Sequence, residues 1–433
     1  MERIFSSRFF TPAFLLLMAT SVIIAYSNTT RGAFQFDDIP SIVENPSVQN
    51  ASAFFQTLTG PRGVTLATFH LNFAFGGLDT FGYHAVNLLI HITNGILAYL
   101  VLTHAFTASG ALAPRARRLA ALSVLIFALH PIQTQAVSYI VQRMETLSAL
   151  FTLASVLLLI KASAQPTAGR RGIFYASIAV SYVLGFYSKE VAITIPAVVF
   201  LYDLFFISGM RFARTLSRWP LYVMMAVLLA IFAVTTVSSL GGFGDVSDES
   251  SMGAVEGGPA EGTGEIKTPS ARAGKDGLTA GFTVKTISKT EHLMTELNVI
   301  VYYIALLALP INQTLDYDFP VSKGLFETPD MHEGTALLYP IPPPVVSLII
   351  LSCLAAGAIY IFIRTSMGIS SEWRVASFGF FWFIILLSPT SSFIPILDVI
   401  YEHRAYLASL GIFPAFVLAI DAVCTRLSSR TGA

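Results

Sequence analysis

Cysteine is nearly absent. Cys353 and Cys424 are the only two in 433 residues, and both sit in apolar runs, which argues against a disulfide framework and against a zinc site built on thiolates. Charge is scarce as well: 12% of residues are Asp, Glu, Lys or Arg, with 26 acidic against 26 basic. The formal net charge is zero, so the total points to no partner, and nucleic acid is not expected to be one. Hydrocarbon fills the gap: 54% of residues are hydrophobic and mean hydropathy is +0.67, which does not describe a soluble globular surface. The chain reads as an all-α polytopic membrane protein.

The first apolar run, 9–26, follows Arg3 and Arg8 and has no A-x-A cleavage site after it. It is about as long as a bilayer core requires at roughly 1.5 Å per residue, and is taken as a span with a cytoplasmic amino terminus. Residues 28–81 then form a non-cytoplasmic segment. Further spans are expected near 83–106, 119–128, 147–160, 172–187, 191–207 and 219–237. Basic stretches, with Arg115, Arg117 and Arg118, then Lys161, Arg170 and Arg171, then Arg211, Arg214 and Arg218, alternate with arginine-poor ones. By that rule every second loop, 28–81 among them, faces the periplasm, lumen or exterior.

Between 239 and 289 Gly, Ser and charge replace anything that could pack, so a flexible external loop is expected there. Apolar segments near 297–310, 342–363, 375–388 and 405–424 follow. If all four cross, Arg364, Arg374, Arg426 and Arg430 fall on the outer side; a re-entrant or surface-lying 297–310 repairs this. The expected organisation is a membrane module at 1–238, a flexible loop at 239–290 and C-terminal helices at 291–433, with ten or eleven spans in all.

Charges that persist in such a chain are candidates for function. The stretch FQFDDIPSIVEN at 34–45 places Asp37 and Asp38 side by side. Adjacent carboxylates raise each other's proton affinity, which suits one of them to act as a base toward a hydroxyl. The plainer reading is local: Asp38 before Ile39 and Pro40 can cap a turn, and Ser41 to Glu44 has capping-box spacing.

A second cluster gathers His130, Gln133, Gln135, Gln142, Arg143 and Glu145. The planar fork of Arg143 suits the phosphate of an anionic headgroup, against the alternatives of snorkelling or a local charge balance with Glu145. Lys189 and Glu190 form a third, in a turn between two apolar runs, where lysine meets a phosphate; Asp203 is about 20 Å further along a helix and is expected to pair with a cytoplasmic arginine. Glu402, His403 and Arg404 form a fourth, an acid, an imidazole and a guanidinium together beside an apolar run. His84, Asn87, His91 and Asn94, spaced three, four and three, lie on one helical face as a polar seam. The inner pair suits hydrogen bonding between helices, while His84 near the outer end can reach a site.

These features, an acidic pair after the first span, external basic clusters and a many-span bundle, resemble the GT-C class of membrane glycosyltransferases. More closely, FDDIPSIVENPSV, LNFAFGGLDTFGYHAVNLLIHITN, LHPIQTQAVSYIVQRMETLSALF, YSKEVAITIPAVVFLYD, PINQTLDYDFPVS and SPTSSFIPILDVIYEHRAYLASLG resemble the membrane part of the TMTC-type protein O-mannosyltransferases and their bacterial relatives. Many of those carry tetratricopeptide repeats after the last span, and no such repeats follow here.

The resemblance implies an inverting hexosyltransferase acting on the periplasmic or luminal side of a bacterial inner membrane or ER-type membrane. Its donor would be a polyprenyl- or dolichyl-phosphate sugar, its acceptor an exported protein, and no nucleotide or metal would be obligatory. Asp37 and Asp38 map to the acidic pair, the first as base. Arg143, Lys189, Glu190, Glu402, His403 and Arg404 are donor-site candidates, with His84, His130, Asp316 and Asp318 in support. A lipid or glycan acceptor and a transporter or scaffold are the alternatives; a transporter predicts acids near the midplane and internal repeats, and none of the latter is convincing here.

Overall fold

In a bilayer a backbone can satisfy its amides only as a helix or a closed barrel. The computed structural model describes residues 7–57, 60–239, 287–331, 336–369, 372–392, 396 and 398–430, and among them the regular elements are helices, with no strand. We number twelve: α1 Phe10–Ala25, α2 Gly63–Gly76, α3 Thr80–Ala108, α4 Ala116–Leu129, α5 Arg143–Ser163, α6 Ala168–Phe186, α7 Ile195–Tyr202, α8 Trp219–Ser239, α9 Lys289–Ala308, α10 Pro344–Ser366, α11 Arg374–Leu387 and α12 Ser409–Arg430. Most of the loop expected at 239–290, residues 240–286, lies outside the described residues.

Five stretches are long and apolar enough to cross a bilayer: Thr80–Ala108, Ile140–Ser163, Glu190–Ile207, Pro344–Ser366 and Ser409–Leu427. A sixth arises if Gly110–Leu129 and Pro131–Ser138, bent by 53°, count as one span. The protein is an all-α polytopic membrane protein. Its outward apolar side chains fit that setting: Leu16, Ile24, Ile349 and Ile420 stand on the surface, where a soluble protein would place polar groups.

Each segment marked by hydropathy is a helix, with two differences of extent. α5 begins at Arg143 and α9 at Lys289, several residues before the apolar windows expected near 147 and 297: the first turn of α5 buries Arg143 and Glu145, and α9 starts on a Ser288–Glu291 capping box with His292, Thr295 and Glu296 buried behind it. α2 is a helix that hydropathy alone does not announce.

α3 packs on α4 and α5, α5 on α6, α4 on α12, and α12 on α11, which also meets α10 and α7. The α11–α12 crossing depends on glycine. A β-carbon on Gly379 would fall 2.0 Å from the Gly411 carbonyl oxygen, so the backbones touch where any side chain would part them.

α9 is not among the stretches long and apolar enough to cross a bilayer. Its first half meets the loop ahead of α10, where Ser322 N donates to Thr295 and Asn298 donates to Pro342 O. Its second half stays at the same end, where Tyr303 donates to Tyr401 O. The late arginines join the early ones, because Arg374 donates to Ala108 O and Phe205 O, and Asp421 of α12 pairs with Arg115 and Arg118.

Candidate active site

The segments after α1, before α5, after α6 and before α12 meet one another through polar groups: Asp37 with Tyr139, Asp38 with Val141, Lys189 with Glu145 and His403 with Gln135. The chain leaves α1 through a short turn at Ser27–Arg31 and reaches Phe36 in the left-handed region, with φ at 43°. A bulky residue there is strained and is held only by its surroundings. Two anchors follow it. Asp37 N donates to the Tyr139 hydroxyl at 2.8 Å, and the buried Asp38 carboxylate accepts from Val141 N at 2.7 Å and Gln35 N at 3.1 Å.

The two acids are therefore unlike. Asp38 ties its loop to the start of the Ile140–Ser163 span; burial pushes its pKa up to about 6, with the charge of Asp37 adding to it and the two backbone N–H groups opposing. Asp37 points its carboxylate to the surface, beside Tyr139, whose phenol is pushed up chiefly by burial and then by that negative charge. The capping expected of this stretch is displaced: Asp38 makes no side-chain cap bond to the turn Ile39–Val43, and Asn45, not Ser41, caps the next helix through Ser47 N.

Arg143 is placed differently from the sequence expectation. It is wholly buried, donating to Asn87 Oδ1, Thr68 Oγ1, Asn72 Oδ1 and Tyr83 O, and lies over the Phe69 ring at 4.5 Å. The α2 helix folds over it, so its fork clasps α2 and α3 instead of facing a ligand. With four of its five N–H donors held within the protein, it is left out of the donor site proposed below.

The surface cations gather elsewhere. Lys189 Nζ pairs with Glu145 Oε2 at 2.6 Å, with both side chains mostly buried, and Arg62 pairs with Glu190 at 3.3 Å in the open. Arg404 donates to Val399 O and Asp398 O and lies 5.4 Å from the centre of the Tyr401 ring. Tyr401 joins the two halves of the site. Its phenol is pushed up by burial and then by the charges of Asp398, Asp316 and Asp37, with Arg404 opposing. His403 is driven well down by burial and by Lys189, Arg404 and Arg62, so three cations act on one imidazole.

Glu402 and His403 point inward. Glu402 accepts from Gln313 Nε2 at 2.7 Å and from the Tyr317 hydroxyl, and burial pushes its pKa up to about 7. The His403 ring and amide both meet Gln135 Oε1, and Gln135 in turn donates to Leu315 O. Together they bind the 311–317 loop to the short helix Thr134–Ser138.

Among the supporting candidates, His84 is buried, with Nε2 at 3.2 Å from Gly32 O, and His130 accepts from Ile132 N through Nδ1. Asp316 and Asp318 are exposed on the 311–317 side of the cluster. The seam behaves as its spacing predicts: Asn87 reaches Val137 O and Ile140 O, His91 bridges Ala128 O and the Tyr406 hydroxyl, and Asn94 bonds Thr146 O. Asp203 meets Arg218 at 2.9 Å, as the 20 Å separation from Lys189 implies. The sequence reading missed Arg62, Tyr139 and Tyr317, which sit in unremarkable polar stretches. Among the described residues no three His, Cys, Asp or Glu side chains converge on a shared metal position.

Comparison with known proteins bears out the resemblance. The chain is 30% identical over 230 residues to protein O-mannosyl-transferase Tmtc3 of Drosophila melanogaster, covering 45% of this chain and 24% of that one. It is 32% identical over 165 residues to a protein O-mannosyl-transferase of Caenorhabditis elegans, covering 34% and 23%, and 30% identical over 224 residues to protein O-mannosyl-transferase tmtc2 of Xenopus laevis, covering 47% and 25%. The chain spans about a quarter of the length of these curated relatives. No family model matches it, and no solved structure does.

Proposed function

We propose that the chain is a membrane glycosyltransferase that moves mannose or another hexose from a polyprenyl- or dolichyl-phosphate carrier to a Ser or Thr hydroxyl of an exported protein, with inversion. The observation that carries this is one exposed carboxylate, Asp37, acting on Tyr401 together with Arg404, while Arg404, Lys189 and Arg62 all act on the neighbouring His403. The similarity to proteins named protein O-mannosyl-transferases supports the same reading.

Asp37 takes the proton of the acceptor hydroxyl as its oxygen attacks the anomeric carbon. The bond from that carbon to the carrier oxygen breaks, and the carrier phosphate leaves as an anion. Lys189 and Arg404 stabilise the charge that grows on the phosphate, in a setting too dry for water to do so. A single base and a phosphate cradle favour one displacement, hence inversion, over the two carboxylates of a double displacement. Asp38 takes no proton in this scheme; it holds the loop that presents Asp37. In this reading the sugar sits where the site opens to water, and the alternation of basic and arginine-poor loops supports a periplasmic or luminal side for the chemistry.

The test is transfer from polyprenyl-phosphate-mannose to a Ser/Thr peptide by the purified protein in lipid, with the product's anomeric configuration read by NMR. Peptide-linked mannose of opposite configuration to the donor is expected. Retained configuration contradicts the single-displacement scheme, and transfer to lipid alone contradicts the acceptor.

A further inference from the structure

Glu145 belongs to none of the roles assigned so far, yet it occupies the centre of the cation group. It lies in the first turn of α5, where the helix N-terminus favours an anion. It pairs with Lys189 at 2.6 Å, and Arg404 lines the same crevice, together with Ser148, Thr152 and Thr194. That crevice encloses about 10 Å³, about the space of one water. A phosphate fits there only if a side chain withdraws. Three cations, Lys189, Arg404 and Arg62, act on this neighbourhood, while Glu190 is engaged by Arg62 outside it. Glu145 is thus the one carboxylate paired with Lys189, at the place where the preceding scheme needs an anion.

Resting on that scheme, we propose that Glu145 is a placeholder: its carboxylate fills the seat of the carrier phosphate in the resting protein and yields Lys189 to the phosphate when the donor binds. The Lys189 side chain, a point charge on a flexible four-carbon stem, can change partners without moving the backbone. An empty seat would otherwise leave a buried ammonium unpaired, so the pair keeps the site assembled between turnovers. Donor affinity is set by the difference between the two anions, and Glu145 thereby limits how tightly spent carrier is held after transfer.

Equilibrium binding of undecaprenyl phosphate to the full chain in nanodiscs tests this. E145Q removes the competing charge and is expected to bind the carrier at least tenfold more tightly than wild type, while its thermal midpoint without carrier falls. E145D, which keeps the charge but shortens the reach to Lys189, is expected to fall between them and serves if E145Q does not fold. K189M in the E145Q background is expected to abolish the gain.

A permanent counter-ion gives the opposite sign, with E145Q and E145D binding equally or more weakly, and that result overturns the proposal alone. Inorganic phosphate, as the anion without a tail, is expected to follow the same order at far lower affinity; a gain confined to inorganic phosphate overturns the carrier assignment. If wild type and variants all fail to bind the carrier, the glycosyltransferase reading falls and the placeholder with it.

Discussion

The two ends of the bundle treat buried charge in opposite ways. At one end Asp203 is wholly closed: Arg218 bonds both its oxygens, Ser208 donates at 2.7 Å and Tyr222 at 2.5 Å. The buried Asp203 thus has all its partners inside the protein. At the other end Arg62 meets Glu190 in the open, Lys189 meets Glu145, Arg404 is held by two backbone carbonyls, and Asp37 stands exposed. A closed cluster braces helices, whereas charges partly open to solvent are placed to meet something else.

The comparison breaks most visibly at Asp203. D203N leaves Arg218 buried without its counter-ion, and a loss of about 3–5 kcal/mol in stability is expected, with transfer per folded molecule unchanged. Thermal unfolding beside specific activity checks it; a stable but inactive D203N would join the two ends in one function.

Next in size is Glu402. Its carboxyl is raised from 4.5 to about 7, so it binds a proton in the folded protein over a range where the unfolded chain has released it. Stability from this group is full below about pH 4.5 and is lost as pH climbs to about 7, on the order of 3 kcal/mol. Thermal midpoints across that window should fall in wild type and fall less in E402Q, which keeps an acceptor for Tyr317, with the remaining slope below about pH 6 belonging to Asp38. An E402Q slope as steep as wild type would assign the titration to another group.

The smallest effect belongs to the exposed pair. R62A should change stability by less than about 1 kcal/mol, because both partners are open to solvent and screened. A modest rise in donor KM with unchanged kcat is expected if Arg62 only adds to the positive field. An unfolded R62A would make the pair a brace like Asp203.

Much of the saturated end was legible in the chain itself. The distance from Lys189 to Asp203 along a helix already separated them, and within the bundle the three, four, three spacing of His84 to Asn94 put the seam on one face. The open end was harder. Arg143 and Glu145 are two residues apart and point to different sides of α5, so their nearness in sequence suggested a pair that helix geometry does not allow. The true partners, Thr68 and Asn72 for Arg143 and Lys189 for Glu145, come from elsewhere in the chain and are set by how α2 and α6 fold back. Likewise nothing in the dipeptide Asp37-Asp38 tells which acid is buried. That is decided by Val141 N, about a hundred residues away.

The unequal fate of these two acids is the centre of the account. The measurement that reaches it most directly is the rate of sugar transfer from polyprenyl-phosphate-mannose by D37N and D38N at equal folded yield, with the thermal midpoint of each. D37N should keep its stability and lose about 10²- to 10⁴-fold in kcat, as expected for a missing general base. D38N should lose stability, since Asn cannot accept both Val141 N and Gln35 N, and keep most of its turnover where it remains folded. A D37N enzyme as fast as wild type, or a folded and inactive D38N, would contradict the division of roles.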